Sequence, residues 1–288
     1  MAVEEDVRRL LASQWPGYRI DEVVLLGSGT DNLAYEVNDE LIVRIGTEAD
    51  PVRVDREARL LSIVAEVSPL AVPRPAFTVP ELGCLAYFKV PGVPLLDVPH
   101  LWSRTSIPAA LGGFLATLHA VPMDRLVGLV EPDVVPPADW LQESADYFTA
   151  LAERIPAERH AAIASFLWAA PPEEEFEPAF SHHDLGIEHV LVGPTSGAVT
   201  GIIDWGDAAL VDPAYDFGLI YRDLGPEALT VALSHYPDPG IAERAGFYAR
   251  CSVLEDLAYG IEADDHRYVD KSLAALDWLF GKAPTPPP

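Results

Sequence analysis

Apolar residues fall into two patterns along the chain, short strand-like runs first and longer helical stripes later. Residues 23–26 (VVLL) lead into a Gly-rich turn, after which residues 33–37 (LAYEV) alternate as a strand does. Residues 41–45 (LIVRI) predict the next strand, and the stretch Arg56-Glu57-Ala58-Arg59-Leu60-Leu61 a helix after it. A further apolar strand over 85–90 (LAYFKV) runs into Pro91-Gly92-Val93-Pro94. Beyond it, residues 107–120 place Leu111, Phe114, Leu115 and Leu118 at helical spacing. Helices are also expected over 139–153, 157–169, 226–234, 242–260 and 268–281. The 242–260 helix carries Phe247, Cys251, Leu254 and Ala258 on one stripe.

One segment, 180–216, breaks this alternation with chemistry. It opens on His182-His183-Asp184, places His189 five residues after the aspartate, and ends an apolar run in Asp204. Between them, residues 189–192 and 199–203 are β-branched runs flanking Gly193-Pro194-Thr195-Ser196-Gly197, whose glycines and proline suit a turn. Pairing the runs as a hairpin brings Asp184, His189 and Asp204 to one end. Acidic oxygens there suit Mg²⁺, a hard cation that takes few protein ligands. A catalytic loop, a hairpin and a metal-binding carboxylate are the parts phosphoryl transfer needs, because the protein mostly positions groups and neutralises charge.

In these motifs the segment resembles the aminoglycoside phosphotransferase family, small-molecule relatives of the eukaryotic protein kinases. The resemblance implies an α+β, bilobal, protein-kinase-like fold: a small antiparallel β-sheet in the N-lobe and a mostly helical C-lobe. It implies that Asp184 is catalytic, accepting or orienting the acceptor's proton, and that Asp204, in Asp204-Trp205-Gly206, binds metal. His189 stands where the family usually has a metal-binding asparagine. A histidine at that place is similar to the macrolide kinases, although Leu185-Gly186-Ile187-Glu188 is not their usual wording. Asp216, in Asp212-Pro213-Ala214-Tyr215-Asp216-Phe217, matches a residue that braces the catalytic loop, and His182 is a second structural support.

The same resemblance assigns the first lobe to ATP or GTP. Gly27, Ser28, Gly29 and Thr30 lie in a strand–turn–strand layout that suits phosphates, since absent side chains let backbone N–H groups approach oxygens; an ordinary hairpin turn reads the same way. Arg44 is the inward cation candidate of its strand, and Glu57 its expected partner in aiming at the α- and β-phosphates. A surface strand charge is the other reading of Arg44. The chain has three lysines, Lys89, Lys271 and Lys282, and none lies in this strand. Arginine is always charged and forked, so it clamps phosphate with different geometry. Phe88, Lys89 and Val90 form the expected hinge whose backbone meets the purine. The domains implied are 1–88 for nucleotide, 89–95 as hinge, 96–283 for catalysis and substrate, and a disordered tail at 284–288. His119, closing the 107–120 helix, is read as a packing residue.

Charge narrows the partners. With 19 Lys and Arg against 45 Asp and Glu, the formal net charge is −26. Nucleic acid is excluded as a partner, because duplex binding needs a basic face. A cationic acceptor, aminoglycoside or macrolide, would be steered into a cleft of carboxylates; solubility or a proteome-wide trait explains such acidity as well. Candidate acceptor contacts are Asp207, three residues after Asp204, and Glu255, Asp256, Tyr259 and Glu262 around the 242–260 helix and its end. No apolar stretch approaches the ~20 residues that span a bilayer, and the acidic start MAVEEDVRRLL is unlike a secretory signal. Cys84 and Cys251 suggest neither a disulfide framework nor a zinc site. A cytoplasmic location follows. Residues 171–178 are expected as an exposed acidic loop. Two alternatives stay open: a metal-dependent hydrolase using His182, His183, Asp184, His189 and Asp204, and a catalytically silent kinase-like binding protein.

Overall fold

A computed structural model describes residues 4–28, 32–172 and 176–281. Gly29, Thr30 and Asp31 of the Gly-rich turn, Glu173–Glu175 of the acidic stretch and the 284–288 tail lie outside the described residues.

The chain starts with α1 (Glu4–Gln14), β1 (Val23–Ser28), β2 (Asn32–Val37), β3 (Leu41–Gly46), α2 (Pro51–Val67), β4 (Arg74–Val79) and β5 (Cys84–Phe88). The five strands form one antiparallel sheet in the order β1-β2-β3-β5-β4. Strand alternation gives the sheet two faces. Leu41 and Val43 of β3, with Cys84 and Ala86 of β5, pack with Val7 and Leu11 of α1. On the other face Leu85 joins Val54, Leu60, Leu61 and Val64 of α2. That alternation leaves Arg44, paired in register with Leu85, on the α2 side. Asp50 starts α2 by accepting the Arg53 N–H at 3.0 Å, and Pro51 at the first position loses no helical hydrogen bond.

The remainder contains β6 (Val93–Pro94), α3 (Ser106–Leu118), α4 (Pro137–Ala150), α5 (Ala157–Leu167), β7 (Ala179–Ser181), β8 (Val190–Val192), β9 (Val199–Ile202), β10 (Ala209–Val211), α6 (Ala214–Leu224), α7 (Pro226–Leu233), α8 (Ala242–Glu262) and α9 (His266–Leu279). It is mostly helical, with a three-stranded sheet β6-β8-β9 and a two-stranded β10-β7 pair. Helix α6 is the buried axis of this part, and Gly218 lets α8 approach it. A Cβ there would sit 2.9 Å from the Tyr248 Cβ and 3.0 Å from the Ala245 carbonyl oxygen.

The hairpin β8–β9 matters most for the site. Val190 opposes Ile202 and Leu191 opposes Gly201, so His189 and Ile203 flank the open end and are joined by Ile203 N–H to His189 O at 3.0 Å. Gly201 is needed for contact: a Cβ would lie 2.3 Å from Val90 Cγ1 and 2.6 Å from the Ala71 carbonyl oxygen. The hairpin thus packs directly on the chain that leaves the N-terminal sheet.

Several elements differ from the sequence reading. Strand β5 ends at Phe88, two residues early, opposite Leu41, where its partner β3 begins; the Lys89 N–H still reaches Glu40 O at 2.9 Å. Helices α4, α5, α8 and α9 shift by two residues or so at their ends, as hydrogen-bonded ends commonly do. Helix α1, strands β4, β6, β7 and β10, and helix α6 were not expected. Strand β4 carries Pro75 and survives as an edge strand, where a missing N–H is tolerated. No helix among the described residues is long and apolar enough to cross a membrane.

Candidate active site

Strand β7 delivers His182, His183 and Asp184 into the cleft. The loop is held from behind by Asp216 in the first turn of α6, whose carboxylate accepts the N–H of His182 at 3.0 Å and of His183 at 2.9 Å. His119 at the end of α3 stands 3.2 Å from the same carboxylate, and the Tyr236 hydroxyl lies 3.0 Å from its other ring nitrogen. Burial alone would raise the Asp216 pKa, but the His119 hydrogen bond and charge hold it below the usual carboxylate range. His183 is left-handed at φ +65°, a conformation costing about 1–2 kcal/mol for a residue with a Cβ.

His182 is fully buried and both its ring nitrogens are committed. Nε2 donates to Ile203 O at 3.0 Å, and Nδ1 accepts the Asp184 N–H at 3.3 Å. Burial pushes its pKa down to about 4, so the ring is neutral near pH 7. It cannot act as a metal ligand in this state. The five-residue ligand cluster that a hydrolase would need is therefore not assembled.

Asp184, His189 and Asp204 do converge. His189 Nδ1 lies 2.8 Å from the Asp184 carbonyl oxygen and 3.3 Å from its carboxylate; Nε2 lies 3.7 Å from the Asp204 carboxylate. Facing a carbonyl oxygen, Nδ1 carries the proton, which leaves the Nε2 lone pair directed towards Asp204. An imidazole lone pair beside an exposed carboxylate fits a divalent cation. Asp184, Glu188 and His189 can also bring ligand atoms within 4.8 Å of one another. Asp204 is left-handed as well, at φ +62°. Burial opposes charge on His189, but the surrounding Asp184, Glu188 and Asp204 outweigh it and raise its pKa. The Asp184 carboxyl opens to a cavity on one side (40% exposed) and is enclosed on the others. That enclosure raises its pKa to about 6, against the opposing pull of His189.

On the sheet side, Arg44 Nη1 meets Glu57 Oε1 at 2.5 Å across the β3–α2 gap. Burial disfavours the Arg44 charge, but Glu57 restores it and raises the pKa. Tyr87, absent from the sequence reading, shares this environment. Burial lifts its phenol to about 12, with Arg44 pulling the other way. Gly27 and Ser28 end β1, next to the turn that lies outside the described residues. Phe88 is half exposed and Val90 is buried. The Lys89 ammonium is held by Glu36 at 2.6 Å and Asp39 at 2.5 Å, and its N–H by Glu40. Lys89 therefore has only its carbonyl oxygen to offer a purine.

Beside Asp184 opens a cavity of about 740 Å³ walled by Glu131, Asp133, Glu143, Asp207 and Glu255, with Trp140, Tyr215, His183 and Arg56. Among the described residues none of these five carboxylates pairs with lysine or arginine. Asp207 and Glu255 were sequence candidates; Glu131, Asp133, Glu143 and Trp140 were missed. They lie on a connecting segment and on α4, where charge looks like ordinary surface. Asp256, Tyr259 and Glu262 do not line the cavity. One residue along a helix turns the side chain by about 100°, so Glu255 faces the cavity while Asp256 points into the core. There Asp256 accepts a short hydrogen bond from Ser272 and lies 3.0 Å from Lys271 Nζ. Tyr259 is exposed and stacks edgewise on Tyr268 at 4.9 Å, and Glu262 is exposed at the end of α8.

Lys271 belongs to a buried ionic cluster beneath the catalytic loop. Its Nζ reaches Asp223 at 3.0 Å and Glu188 at 3.4 Å, and Arg222 pairs with Asp223 at 2.7 Å. Asp223 also accepts the Ile187 N–H at 3.1 Å, so the cluster ties α6, α8 and α9 to the loop.

An antiparallel N-terminal sheet, a mostly helical second part, and an Asp–His–Asp centre at the tip of a hairpin between them define a kinase-like phosphotransferase. The chain belongs to the phosphotransferase enzyme family, whose model matches residues 22–247. It is 28% identical over 222 residues to the uncharacterized protein YcbJ of Bacillus subtilis (strain 168), covering 68% of this chain and 69% of that one. Solved structures share the fold. The GDP and kanamycin complex of APH(2")-IIIa has a TM-score of 0.71 at 20% identity, covering 94% of this chain and 97% of that one. The macrolide 2'-phosphotransferase MphH from Brachybacterium faecium, an apoenzyme, has a TM-score of 0.63 at 24% identity over 98% and 99%.

Proposed function

We propose that the protein transfers the γ-phosphoryl group of ATP or GTP to a hydroxyl of a cationic small molecule of the aminoglycoside or macrolide kind. Residues 1–88 serve the nucleotide, 89–95 form the hinge, and 96–283 carry the catalytic groups and the acceptor cavity. In the reaction the acceptor oxygen bonds to the γ-phosphorus as the bond from phosphorus to the bridging oxygen breaks. The acceptor's proton passes to the Asp184 carboxylate, which stands at the cavity wall. Arg44, aimed by Glu57, draws the α- and β-phosphate oxygens. His189 Nε2 and Asp204 would hold Mg²⁺, which when bound neutralises charge on the phosphate oxygens. His182 and Asp216 keep the loop in place through the bonds described above. A cytoplasmic location, where nucleotide and Mg²⁺ are plentiful, fits this chemistry.

The observation that carries the reading is the convergence of Asp184 and Asp204 on His189, at 3.3 and 3.7 Å, beside a cavity of unpaired carboxylates. Those carboxylates favour a cationic acceptor, because a concave acidic site concentrates cations. The test is product detection by mass spectrometry with ATP or GTP, Mg²⁺ and a panel of kanamycin, other aminoglycosides, macrolides and amino-alcohol metabolites. A mass gain of one phosphoryl group is expected on at least one cationic compound. Asp184→Ala should lower turnover about 10²- to 10⁴-fold while nucleotide affinity stays near the parent's. No product with any compound, or equal loss of turnover and nucleotide binding, overturns the reading.

A further inference from the structure

We propose that His183 is an acceptor-contacting residue whose free Nε2 accepts a hydrogen bond from a second donor group, amine or hydroxyl, next to the hydroxyl being phosphorylated. This rests on the phosphotransfer reading and narrows its substrate class to compounds with paired donors, such as vicinal amino alcohols and diols.

His183 holds φ +65°, a region where glycine is comfortable and a β-carbon is not. Three contacts hold it there. Its N–H donates to Asp216 at 2.9 Å, its ring packs edgewise on Tyr215 at 4.7 Å, and Nδ1 lies 3.3 Å from the Asp207 carbonyl oxygen. A ring nitrogen facing a carbonyl oxygen carries the proton, so Nε2 is left with a lone pair. Nε2 makes no hydrogen bond among the described residues. The ring it belongs to lines the same cavity wall as Asp184, the next residue in the chain. Asp133, whose carboxylate is 3.8 Å from Nδ1, adds a negative charge at this edge. The neighbourhood is thus rich in acceptors; Arg56 and Trp140 are donors in the same lining, but neither hydrogen-bonds to Nε2 among the described residues. An ammonium or hydroxyl adjacent to the reacting oxygen supplies that bond, bridging His183 Nε2 and the carboxylates while Asp184 receives the reacting proton. Strain sustained at a residue that faces substrate is the pattern expected of a functional position.

The test compares the parent with His183→Gly, which relieves the backbone, and His183→Asn, which tolerates φ > 0 but shortens the side chain. The probe is whichever of kanamycin, another aminoglycoside or a macrolide the parent phosphorylates. Both variants should raise the acceptor KM at least tenfold, leave the nucleotide KM unchanged, and keep or raise Tm. A deoxy analogue lacking the neighbouring donor should lose affinity for the parent and lose little or none for His183→Gly, as a two-way cycle requires. An acceptor KM within twofold of the parent, or equal analogue losses in parent and variant, overturns the inference and leaves the phosphotransfer reading standing. A parent that phosphorylates no probe overturns that reading, and this inference falls with it.

Discussion

The catalytic loop separates two sets of carboxylates that obey opposite rules. Below it, the buried Asp223 and Asp256 and the partly buried Glu188 share Arg222 and Lys271 at 2.7–4.0 Å. Above it, Glu131, Asp133, Glu143, Asp207 and Glu255 wall a cavity with no lysine or arginine partner among the described residues. The residue types are the same, and burial with pairing decides the role. Acids whose charge is already matched fix the position of a loop. Acids left unmatched beside a cavity repel one another until a cation enters, and Glu255 registers this: burial and the nearby Glu143 raise its pKa. Stability is therefore concentrated beneath Asp184 and binding capacity above it.

Lys271→Met breaks the lower set and should have the largest effect. It leaves Glu188, Asp223 and Asp256 with one cation instead of two, and removing one partner from a buried ion network costs about 3–5 kcal/mol. Thermal unfolding should shift down by about 10 °C. A shift below about 2 °C would mean the cluster contributes little and the contrast is false. The upper set responds differently. Asp207→Asn combined with Glu255→Gln should raise the acceptor KM about tenfold, roughly 1.4 kcal/mol, with Tm unchanged or higher because like charges have been removed. Raising the salt concentration should erase much of the KM difference, since charges facing an open cavity are screened. A fall in Tm for this pair, with KM unmoved, would reverse the two assignments.

The catalytic triangle between these two sets was legible in the sequence, and the sets themselves were mostly hidden. The Asp184–His189–Asp204 triangle could be read because a hairpin is local: two β-branched runs and a Gly–Pro turn leave little freedom in where their ends meet. Arg44 and Glu57 could be paired because a strand and the helix after it pack by alternation. The acceptor cavity was mostly invisible, since Glu131 and Asp133 sit on a connection and Glu143 on α4, far from the loop in sequence. Glu255 and Asp256 are neighbours of nearly identical chemistry, and only the packing of α8 on α6 and α9 decides which of them meets Lys271. Helix α6 went unread because its motif, Asp212 to Phe217, reads as a bracing loop, although nine of its residues are buried.

The smallest predicted effect concerns pH, and its sign follows from the lower cluster. Burial would raise the Asp223 pKa, but Arg222 and Lys271 hold it well below the usual range. A carboxyl whose folded pKa is depressed contributes stability above its unfolded value, about 3.9, and loses that contribution as pH falls towards the folded value. Lys271, whose pKa is raised by the same acids despite burial and the opposing Arg222, keeps its contribution throughout the acidic range. The parent's advantage over Lys271→Met should thus be largest near neutral pH and shrink below about pH 4, where the variant's unpaired carboxyls take up protons and cease to repel. Urea unfolding of both proteins at pH 7 and pH 4 measures it. The Asp207→Asn, Glu255→Gln pair should behave in the opposite sense: any gain in Tm over the parent at pH 7 should shrink at pH 4, because burial and Glu143 raise the parent's Glu255 pKa and favour its protonation as pH falls. A gap that stays constant with pH for Lys271→Met would show that its cost comes from lost packing of the lysine stem and not from charge.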